Sequence, residues 1–348
     1  MPHELFELTR KLIDIPSVTG DERALGMFLK EHLETLGYFV EMQEVAADRF
    51  NVFATTGAPS RVVLSTHMDT VPPFMQSSEY DEKIYGRGAC DAKGIIAAQI
   101  DAAQRLRGEG IQEVGLLFTV DEEQGSLGAQ IANLKPRALP PDYLINGEPT
   151  DNKLAKATRG SLRLNLRTRG RAAHSAYPEQ GESAIEKLLD VLETIRQCEW
   201  PVDDLLGETT CNIGVIGGGT RANVVPDEAF AVLQLRLVSS VAPVRKIIET
   251  ATAGRAEVEY LSEHEPVRLE TIDGIEQCVV RFTTDIPYLS NWGRPLLLGP
   301  GSILNAHTEH EFVEKRELEQ AIEIYVQLVR ALLAKDAVTR ELVEGASQ

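Results

Sequence analysis

The chain has 348 residues, of which 43% are hydrophobic and 25% are charged, a composition typical of globular enzymes. Its formal net charge of −18 opposes binding to nucleic acids and to anionic membranes. A chain of this length exceeds one ordinary hydrophobic core, so we expect two domains. No apolar stretch approaches the roughly 18 residues of a membrane span, and the N-terminus lacks a signal-peptide pattern. The four cysteines show no paired spacing, which favours a reduced, cytoplasmic protein.

The N-terminal part of the chain alternates helical and strand patterns. Apolar spacing predicts a helix over Leu5–Ile15 and a second helix that ends near Leu36. Short apolar runs bounded by turn residues predict buried strands with a helix among them. Alternation of buried strands and helices is typical of an α/β layer with a mainly parallel sheet. In chain order, the predicted strands cover 50–54, 61–66, 115–120 and 142–145, and the helix covers 92–106.

The pattern changes near residue 158. Ser161–Arg169 alternates apolar and polar residues strictly, which predicts an antiparallel strand with one solvated face. The elements that follow complete the order β-α-β-β-α-β, which is the ferredoxin-like pattern. They are a helix at 182–196, strands near 212–216 and 229–237, a helix at 242–253 and a strand at 257–261.

The chain then returns to the first pattern, with a strand near Leu296 and a long amphipathic helix that contains Leu318 and Leu332. We therefore predict a discontinuous α/β domain formed by residues 1–157 and 264–348. A ferredoxin-like α+β domain, residues 158–263, is inserted into it.

Metal-ligand residue types follow four of the predicted strands, and a fifth segment, the glycine-rich loop 86–91, ends in Asp91. Ligands of open α/β sheets bind outside the carboxyl ends of the strands, so we expect these side chains to converge. Two histidines and several carboxylates fit divalent metals better than an organic cofactor. The residues that follow the strands are His67, the pair Glu122 and Glu123, Glu148, and His307.

His67 and Asp69 lie two residues apart, on one face of an extended segment. A carboxylate in that position can hold the second ring nitrogen of the histidine and fix its tautomer. Alone, the pattern better describes a core histidine. Its place at the end of an apolar strand favours a metal ligand.

Asp91 precedes a predicted helix, so it has two interpretations, a carboxylate that bridges two metals or a helix N-cap. The adjacent Cys90 is interpreted as a small residue that packs within the loop. Glu122 and Glu123 would point opposite ways in extended chain, so that one could bind metal while the other acts as a general base. The alternative for this pair is an ordinary acidic loop.

Taken together, these segments resemble the M20 family of metallopeptidases and deacylases, which includes acetylornithine deacetylase, succinyl-diaminopimelate desuccinylase and glutamate carboxypeptidase. The resemblance covers nearly the whole chain in the family's order. One departure is Ala92, where the family commonly has methionine. The matching segments are STHMDTVPP, YGRGACDAKG, TVDEEQGSLGA, INGEPT, GRAAHSAYPEQGESAI, TRANVVPD and LGPGSILNAHTEHEFV.

The resemblance implies two Zn²⁺ ions per subunit, with Co²⁺ or Mn²⁺ as possible substitutes. It assigns His67, Asp91 and Glu148 to one ion. It assigns Asp91, Glu123 and His307 to the other, so that Asp91 bridges the two ions.

The remaining site residues are also assigned by the resemblance. Glu122 matches the general base and Asp69 the carboxylate that orients the ligand histidine. His174 matches a histidine of the lid domain that polarises the scissile carbonyl, often across a dimer; local sequence alone fits a surface-loop histidine equally well. The residues that match substrate-binding positions are Asn223, Arg236, Gly299, Gly301 and Ser302.

The implied reaction is metal-assisted hydrolysis of an amide bond, with the inserted domain as lid and as the surface of a homodimer. The short chain looks most like the acetylornithine- and acetyllysine-deacetylase branch, whose substrates are N-acyl amino acids. A dipeptidase or a glutamate-type carboxypeptidase acting on short peptides is the alternative on the same site. A non-catalytic binding protein is disfavoured, because Glu122 and all five ligand positions are present.

Overall fold

A computed structural model of the chain describes residues 2–135 and 139–345, with backbone alone for residues 2 and 336–345. The chain divides into two compact units. Unit 1 comprises Met1–Lys156, Leu269–Cys278 and Thr284–Gln348, and unit 2 comprises Ala157–Arg268 and Val279–Thr283. None of the helices in the described ranges is long and apolar enough to cross a membrane.

The described part of the chain contains strands and helices in a mixed α/β order. The strands are β1 Phe39–Ala46, β2 Arg49–Thr55, β3 Val62–His67, β4 Ser78–Tyr80, β5 Lys83–Tyr85, β6 Val114–Thr119, β7 Tyr143–Asn146, β8 Leu154–Thr158, β9 Gly160–Arg169, β10 Ala173–His174, β11 Val202–Asp203, β12 Gly207–Glu208, β13 Thr210–Gly218, β14 Val224–Val225, β15 Glu228–Leu237, β16 Glu257–His264, β17 Val267–Arg268, β18 Gln277–Val280, β19 Arg294–Leu297 and β20 Phe312–Glu314. The α-helices are α1 Pro2–Asp14, α2 Arg23–Thr35, α3 Lys93–Gly108, α4 Leu127–Leu134, α5 Ala184–Arg196, α6 Val241–Thr252 and α7 Lys315–Gly345, and 3₁₀ helices cover Pro178–Gln180 and Ile286–Tyr288.

A six-stranded sheet in the order β1-β2-β6-β3-β7-β19 forms the centre of unit 1. Strands β6, β3, β7 and β19 are parallel, as the sequence predicted. Strands β1 and β2 are antiparallel, and β1 was not predicted. Strands β1 and β2 run antiparallel because Ala47 and Asp48 connect them in a tight turn. A turn this short can join only antiparallel strands. The sheet is therefore mixed, with a parallel part that carries the predicted ligands.

Both faces of the parallel strands are buried. Val62 and Leu64 of β3 belong to a large core that they share with α1, α2, α3 and α7. Val63, between them, belongs to a second core on the other face, with residues of α4 and with Trp292. Because both faces of these strands are buried, their sequences are continuous apolar runs rather than alternations of apolar and polar residues.

Unit 2 contains a four-stranded antiparallel sheet in the order β13-β15-β9-β16, with α5 and α6 between the strands in sequence. Leu162, Leu164 and Leu166 of β9 are fully buried against residues of both helices. The strand and helix order is the ferredoxin-like one that the sequence predicted.

The long helix α7 supports the segment that leads to His307. The side chains that it buries include Leu318, Ile322 and Tyr325. The Tyr325 hydroxyl donates a hydrogen bond of 2.7 Å to the carbonyl of Leu298, directly after β19. This buried bond ties the helix to the carboxyl end of a parallel strand.

Candidate active site

Unit 1 gathers the five predicted metal ligands at one edge of its sheet. His67 is the last residue of β3, and Glu123 and Glu148 follow the carboxyl ends of β6 and β7. His307 follows β19, and Asp91 ends the loop that leads into α3. Because β6, β3, β7 and β19 are neighbouring parallel strands, their carboxyl ends meet at this edge.

Asp91 lies between the two histidines. Its Oδ1 is 2.9 Å from Nε2 of His67, and its Oδ2 is 3.2 Å from Nε2 of His307. The alternative interpretation, that Asp91 caps α3, is wrong, because the N-cap position is Ala92, which makes no side-chain cap hydrogen bond. Asp91 thus directs one oxygen to each histidine, so the site has one half beside His67 and another beside His307.

Glu123 belongs to the same half as His307. Its Oε1 is 3.0 Å from Nε2 of His307. One ligand atom each from His67, Asp91 and Glu123 also lie within 4.8 Å of one another. Nitrogen and carboxylate oxygen atoms at this spacing can belong to one cluster of ligands for divalent cations.

Glu122 and Glu123 lie in a turn, not in the extended chain that the sequence analysis assumed. Asp121 begins the turn with a φ of +72°, and its carbonyl accepts the N–H of Gly125 at 3.0 Å. The N–H groups of Glu122 and Glu123 both donate to the carboxylate of Asp69, at 3.1 and 3.2 Å. The turn, not strand alternation, therefore sets the directions of the two glutamates.

Asp69 holds His67 chiefly through its main chain. Nδ1 of His67 is 3.0 Å from the carbonyl oxygen of Asp69 and 3.6 Å from its Oδ1. The carboxylate has shorter contacts with the N–H groups of the turn and with the Thr19 hydroxyl, at 2.9 Å. The carbonyl and carboxylate oxygens of Asp69 can hold a proton on Nδ1 of His67. Nε2 then keeps the lone pair that a metal requires.

Buried negative charge dominates the electrostatics of the site. Glu148 is 4% exposed, and no described residue donates a hydrogen bond to its Oε1. Burial, followed by the charge of Asp91, raises the pKa of Glu148 well above its usual range, although the charge of His67 opposes this. Burial and then the charge of Glu148 likewise raise the pKa of Glu122. No lysine or arginine in the described ranges forms an ion pair with these carboxylates.

In the described part of the chain, the two histidines are the side chains that can carry positive charge next to Asp91 and Glu123. Hydrogen bonds with Asp91 and Glu123 raise the pKa of His307 to about 10. Burial opposes the charged form of His67, but hydrogen bonds with Asp69 and Asp91 and the charge of Glu148 outweigh it and raise its pKa. Metal ligation replaces such protons, because imidazole must be neutral to bind a metal. The Oε1 of Glu148, which has no hydrogen-bond partner in the described part of the chain, and the surrounding carboxylates therefore fit divalent cations.

Unit 2 brings His174 and Asn223 together. Strand β10 pairs with β14, so that His174 lies opposite Val224, and the N–H of Ser175 donates to the carbonyl of Asn223 at 3.0 Å. The N–H of Ala176 donates to Nδ1 of the exposed His174 at 3.1 Å. The neutral ring therefore carries its proton on Nε2, which makes that nitrogen a hydrogen-bond donor.

Arg236 lies on β15, half-buried and close to Arg163 and His264. Burial and then the charge of Arg163 lower the pKa of Arg236. Burial and then the charge of Arg236 lower the pKa of His264. No carboxylate of the described residues forms an ion pair with Arg236. A guanidinium in these surroundings suits an external carboxylate.

The segment that contains Gly299, Gly301 and Ser302 packs closely in unit 1. A Cβ atom on Gly299 would lie 2.6 Å from the carbonyl oxygen of Glu148. Gly301 has a φ of +82°, and its Cβ would lie 2.5 Å from that of the buried Cys90. Ser302 forms an isolated β-bridge with the segment after Glu148. Close packing therefore explains both glycines independently of the predicted contact with substrate.

Glu311 was not singled out from the sequence, although it lies in the quoted segment LGPGSILNAHTEHEFV. It is fully buried and forms an ion pair with Arg87 at 2.5 Å. Its Oε1 accepts the N–H of Gly88 at 2.9 Å and those of Cys90 and Asp91 at 3.3 Å. Glu311 thus holds the backbone of the loop that presents Asp91.

Fold and site together are those of a metal-dependent hydrolase, with a cluster of potential metal ligands at the open edge of an α/β sheet. The profile of Peptidase family M20/M25/M40 matches residues 63–331, and the chain belongs to this family. The matched span contains all five predicted ligands, Glu122 and His174. The predicted family and the predicted class of enzyme are therefore confirmed.

The relatives agree with this placement. A peptidase M20 domain-containing protein of Schizosaccharomyces pombe is 38% identical over 336 residues, covering 93% of this chain and 84% of that protein. A probable carboxypeptidase of Aspergillus terreus is 37% identical over 369 residues, covering 93% and 85%. The solved structure of a Staphylococcus aureus tripeptidase has a TM-score of 0.80 at 22% identity, covering 95% of this chain and 99% of that one, and it supports the fold.

We expect Glu311→Gln to weaken metal binding, because the neutral amide no longer balances Arg87 and holds the N–H groups of the Asp91 loop less strongly. Loss of a partner that orients a ligand costs about 10–100-fold in metal affinity. Competition with a zinc chelator measures the dissociation constant. Glu309→Gln is the matched control, because Glu309 is exposed and pairs only with His310 in the described structure. Equal zinc affinity in both variants would contradict this role.

Proposed function

We propose that the protein hydrolyses an amide bond of a small, carboxylate-bearing substrate with the help of two divalent cations, most simply Zn²⁺. His67, Asp91 and Glu148 would hold one cation, and Asp91, Glu123 and His307 the other. The observation that carries the proposal is the geometry of Asp91, whose two oxygens face two different histidines at 2.9 and 3.2 Å. A carboxylate shared in this way is suited to bridge two ions.

Bound divalent cations would polarise the scissile carbonyl and lower the pKa of a water molecule to about 7. Glu122 is proposed to take the proton of the attacking water and to pass it to the departing amine. Two features support this role. Its N–H is fixed by Asp69, and its side chain has no hydrogen bond or ion pair among the described residues. The carboxylate is therefore free to exchange protons with a substrate.

Unit 2 is proposed to act as the lid and as the surface of a homodimer. The Nε2–H of His174 can donate to the oxyanion that develops on the carbonyl. The hydrogen bond from Ala176 to Nδ1 supports this, because it fixes the tautomer with a donor at Nε2. Asn223 lies beside His174, and Arg236 would bind the carboxylate of the substrate.

The preferred substrate in this proposal is an N-acyl amino acid of the acetylornithine or acetyllysine type. A carboxypeptidase or dipeptidase activity is the second candidate, and the name of the Aspergillus terreus relative favours it. Both reactions break an amide bond next to a free carboxylate. They differ in the group on the other side of that bond, which is an acyl group in the first reaction and an aminoacyl residue in the second.

Glu122→Gln should keep both ions and lose turnover by about 10²–10⁴-fold, because it removes the proton acceptor and leaves the ligands in place. Glu123→Gln should instead lower the metal content, since Glu123 is assigned to ligation beside His307. Elemental analysis and kcat are measured on the same zinc-loaded samples. If Glu122→Gln loses an ion while Glu123→Gln keeps both, the two roles are reversed.

A substrate panel separates the two candidate activities. Zinc-loaded protein is assayed with N-acetyl-ornithine, N-acetyl-lysine, N-succinyl-diaminopimelate and dipeptides, each with a free carboxylate and with the carboxylate capped as an amide. We expect cleavage of the free acids, a large loss with the capped forms, and loss of activity on chelation that added Zn²⁺ or Co²⁺ restores. Arg236→Ala should abolish the preference for free acids. Full activity in metal-free protein would overturn the proposed function.

A further inference from the structure

The sheet of unit 2 carries two neighbouring arginines on the face opposite its hydrophobic core. Leu162 of β9 is buried in that core, so its neighbours Ser161 and Arg163 lie on the other face. In the register of the sheet, Ser161 pairs with Arg236 of β15, and Arg163 pairs with Gln234. Arg163 and Arg236 are therefore diagonal neighbours, a relation in which Cα atoms are about 7–8 Å apart.

His264 of β16 lies in the same row of the sheet as Arg236. It pairs with Ser161 from the other side, so that Ser161 lies between the two. Burial, followed by the charges of Arg236 and Arg163, lowers the pKa of His264. A histidine with a lowered pKa is neutral near pH 7. The positive charge at this end of the face therefore comes from the two arginines.

A short chain of hydrogen bonds orients Arg163. Its Nε donates to Oε1 of Gln234 at 3.0 Å, and Nε2 of Gln234 donates to the Ser161 hydroxyl at 3.2 Å. The N–H groups on the Nη atoms of Arg163 have no acceptor among the described residues. A planar guanidinium held in this way is ready to donate two parallel hydrogen bonds to a carboxylate.

Neither arginine has a counter-ion in the described part of the chain, although the protein is acidic. None of the described carboxylates forms an ion pair with Arg163 or Arg236. On the same strand as Arg163, by contrast, Arg169 pairs with Glu257 at 3.2 Å. Neighbouring like charges repel each other, and Arg236 has also lost part of its hydration. In a chain of net charge −18, this arrangement favours anions that a ligand supplies.

We propose that this face of unit 2 selects substrates with two carboxylates, and that Arg163 binds the second one. The inference rests on the proposed function, in which Arg236 binds the first. One carboxylate balances only one of the two arginines, whereas a dicarboxylate balances both. The substrate class is therefore an amide that carries a second carboxylate, in its acyl group or in the side chain of its amino acid. Both candidate activities include such substrates.

The kinetic test uses zinc-loaded protein and pairs of substrates that differ only in the second carboxylate. N-acetyl-glutamate and alanyl-glutamate are each compared with the corresponding glutamine compound. N-succinyl-alanine is compared with the same compound whose succinyl carboxylate is capped as an amide. We expect the dicarboxylate of at least one pair to have a kcat/KM about 10–100-fold higher, the usual effect of a hydrogen bond to a charged group. The pair that shows the preference identifies where the second carboxylate lies.

Arg163→Gln should abolish this preference, mainly through KM, because a carboxylate away from the reacting bond is bound equally in the ground state and the transition state. Arg163→Lys keeps the charge but lacks the planar fork, so it should keep part of the preference. Arg167→Gln is the matched control. Arg167 is exposed like Arg163 and lies on the same face of β9, but it pairs with Phe230. The control should keep the wild-type preference.

A second readout does not depend on turnover. Glutarate is a dicarboxylate without an amide bond, and its monoamide lacks one of the two charges. Calorimetry on zinc-loaded protein should show about 10–100-fold tighter binding of glutarate than of the monoamide. Arg163→Gln should remove most of this difference, and Arg167→Gln should preserve it.

Equal kcat/KM within every pair would overturn the role of Arg163. A preference that persists in Arg163→Gln, or that Arg167→Gln also abolishes, would overturn it as well. Failure of the proposed function is a different result, namely absence of amide hydrolysis or full activity in metal-free protein. In that case the comparison of glutarate with its monoamide still decides whether Arg163 binds a second carboxylate.

Discussion

Several negative charges are buried together at one edge of the sheet, and this governs how the residues around the site are arranged. Asp91, Glu123 and Glu148 converge with Glu122, and the counter-charges that the described residues supply to Asp91 and Glu123 are two histidines. Carboxylates buried together repel one another and lose their hydration. Glu148 shows the imbalance most directly, since its Oε1 has no partner among the described residues. Divalent cations would resolve this imbalance, and the proposed metal site accounts for so costly a cluster.

A second set of carboxylates holds the backbone that presents the first. Asp69 accepts N–H groups of the turn that carries Glu122, and Glu311 accepts N–H groups of the loop that carries Asp91. Asp285 accepts the hydroxyl of Thr119 at the end of β6, shortly before that turn. None of these three residues is assigned to a metal ion. Each accepts hydrogen bonds from N–H or O–H groups that would otherwise be buried without partners. These bonds restrict the motion of the segments that carry the site residues.

The parts of the site that could be predicted are those in which a local sequence pattern, such as an apolar run followed by a ligand residue, is present. His67 and Glu148 follow apolar runs, and four parallel strands bring such residues to one edge, so their convergence could be expected. Glu311 and Asp285 could not be found in this way. Glu311 is 220 positions from Asp91 in the chain, and Asp285 is 166 positions from Thr119. No periodicity links residues so far apart.

Two errors of local interpretation have a common cause. The sequence predicts extended chain at Glu122 and Glu123 and allows an N-cap role for Asp91. In each case tertiary hydrogen bonds replaced the local preference. Asp69 draws the N–H groups of the glutamates into a turn, and the two histidines take the oxygens of Asp91. At such sites, tertiary contacts determine the conformation and the partners of a residue more strongly than the local sequence does.

Anomalous X-ray scattering from crystals of the zinc-loaded protein, recorded at the zinc edge, would locate the metal ions. We expect two peaks per subunit on opposite sides of the Asp91 carboxylate. One should lie beside His67 and Glu148, and the other beside Glu123 and His307. A single peak that does not touch Asp91, or no peak at this edge of the sheet, would contradict the account.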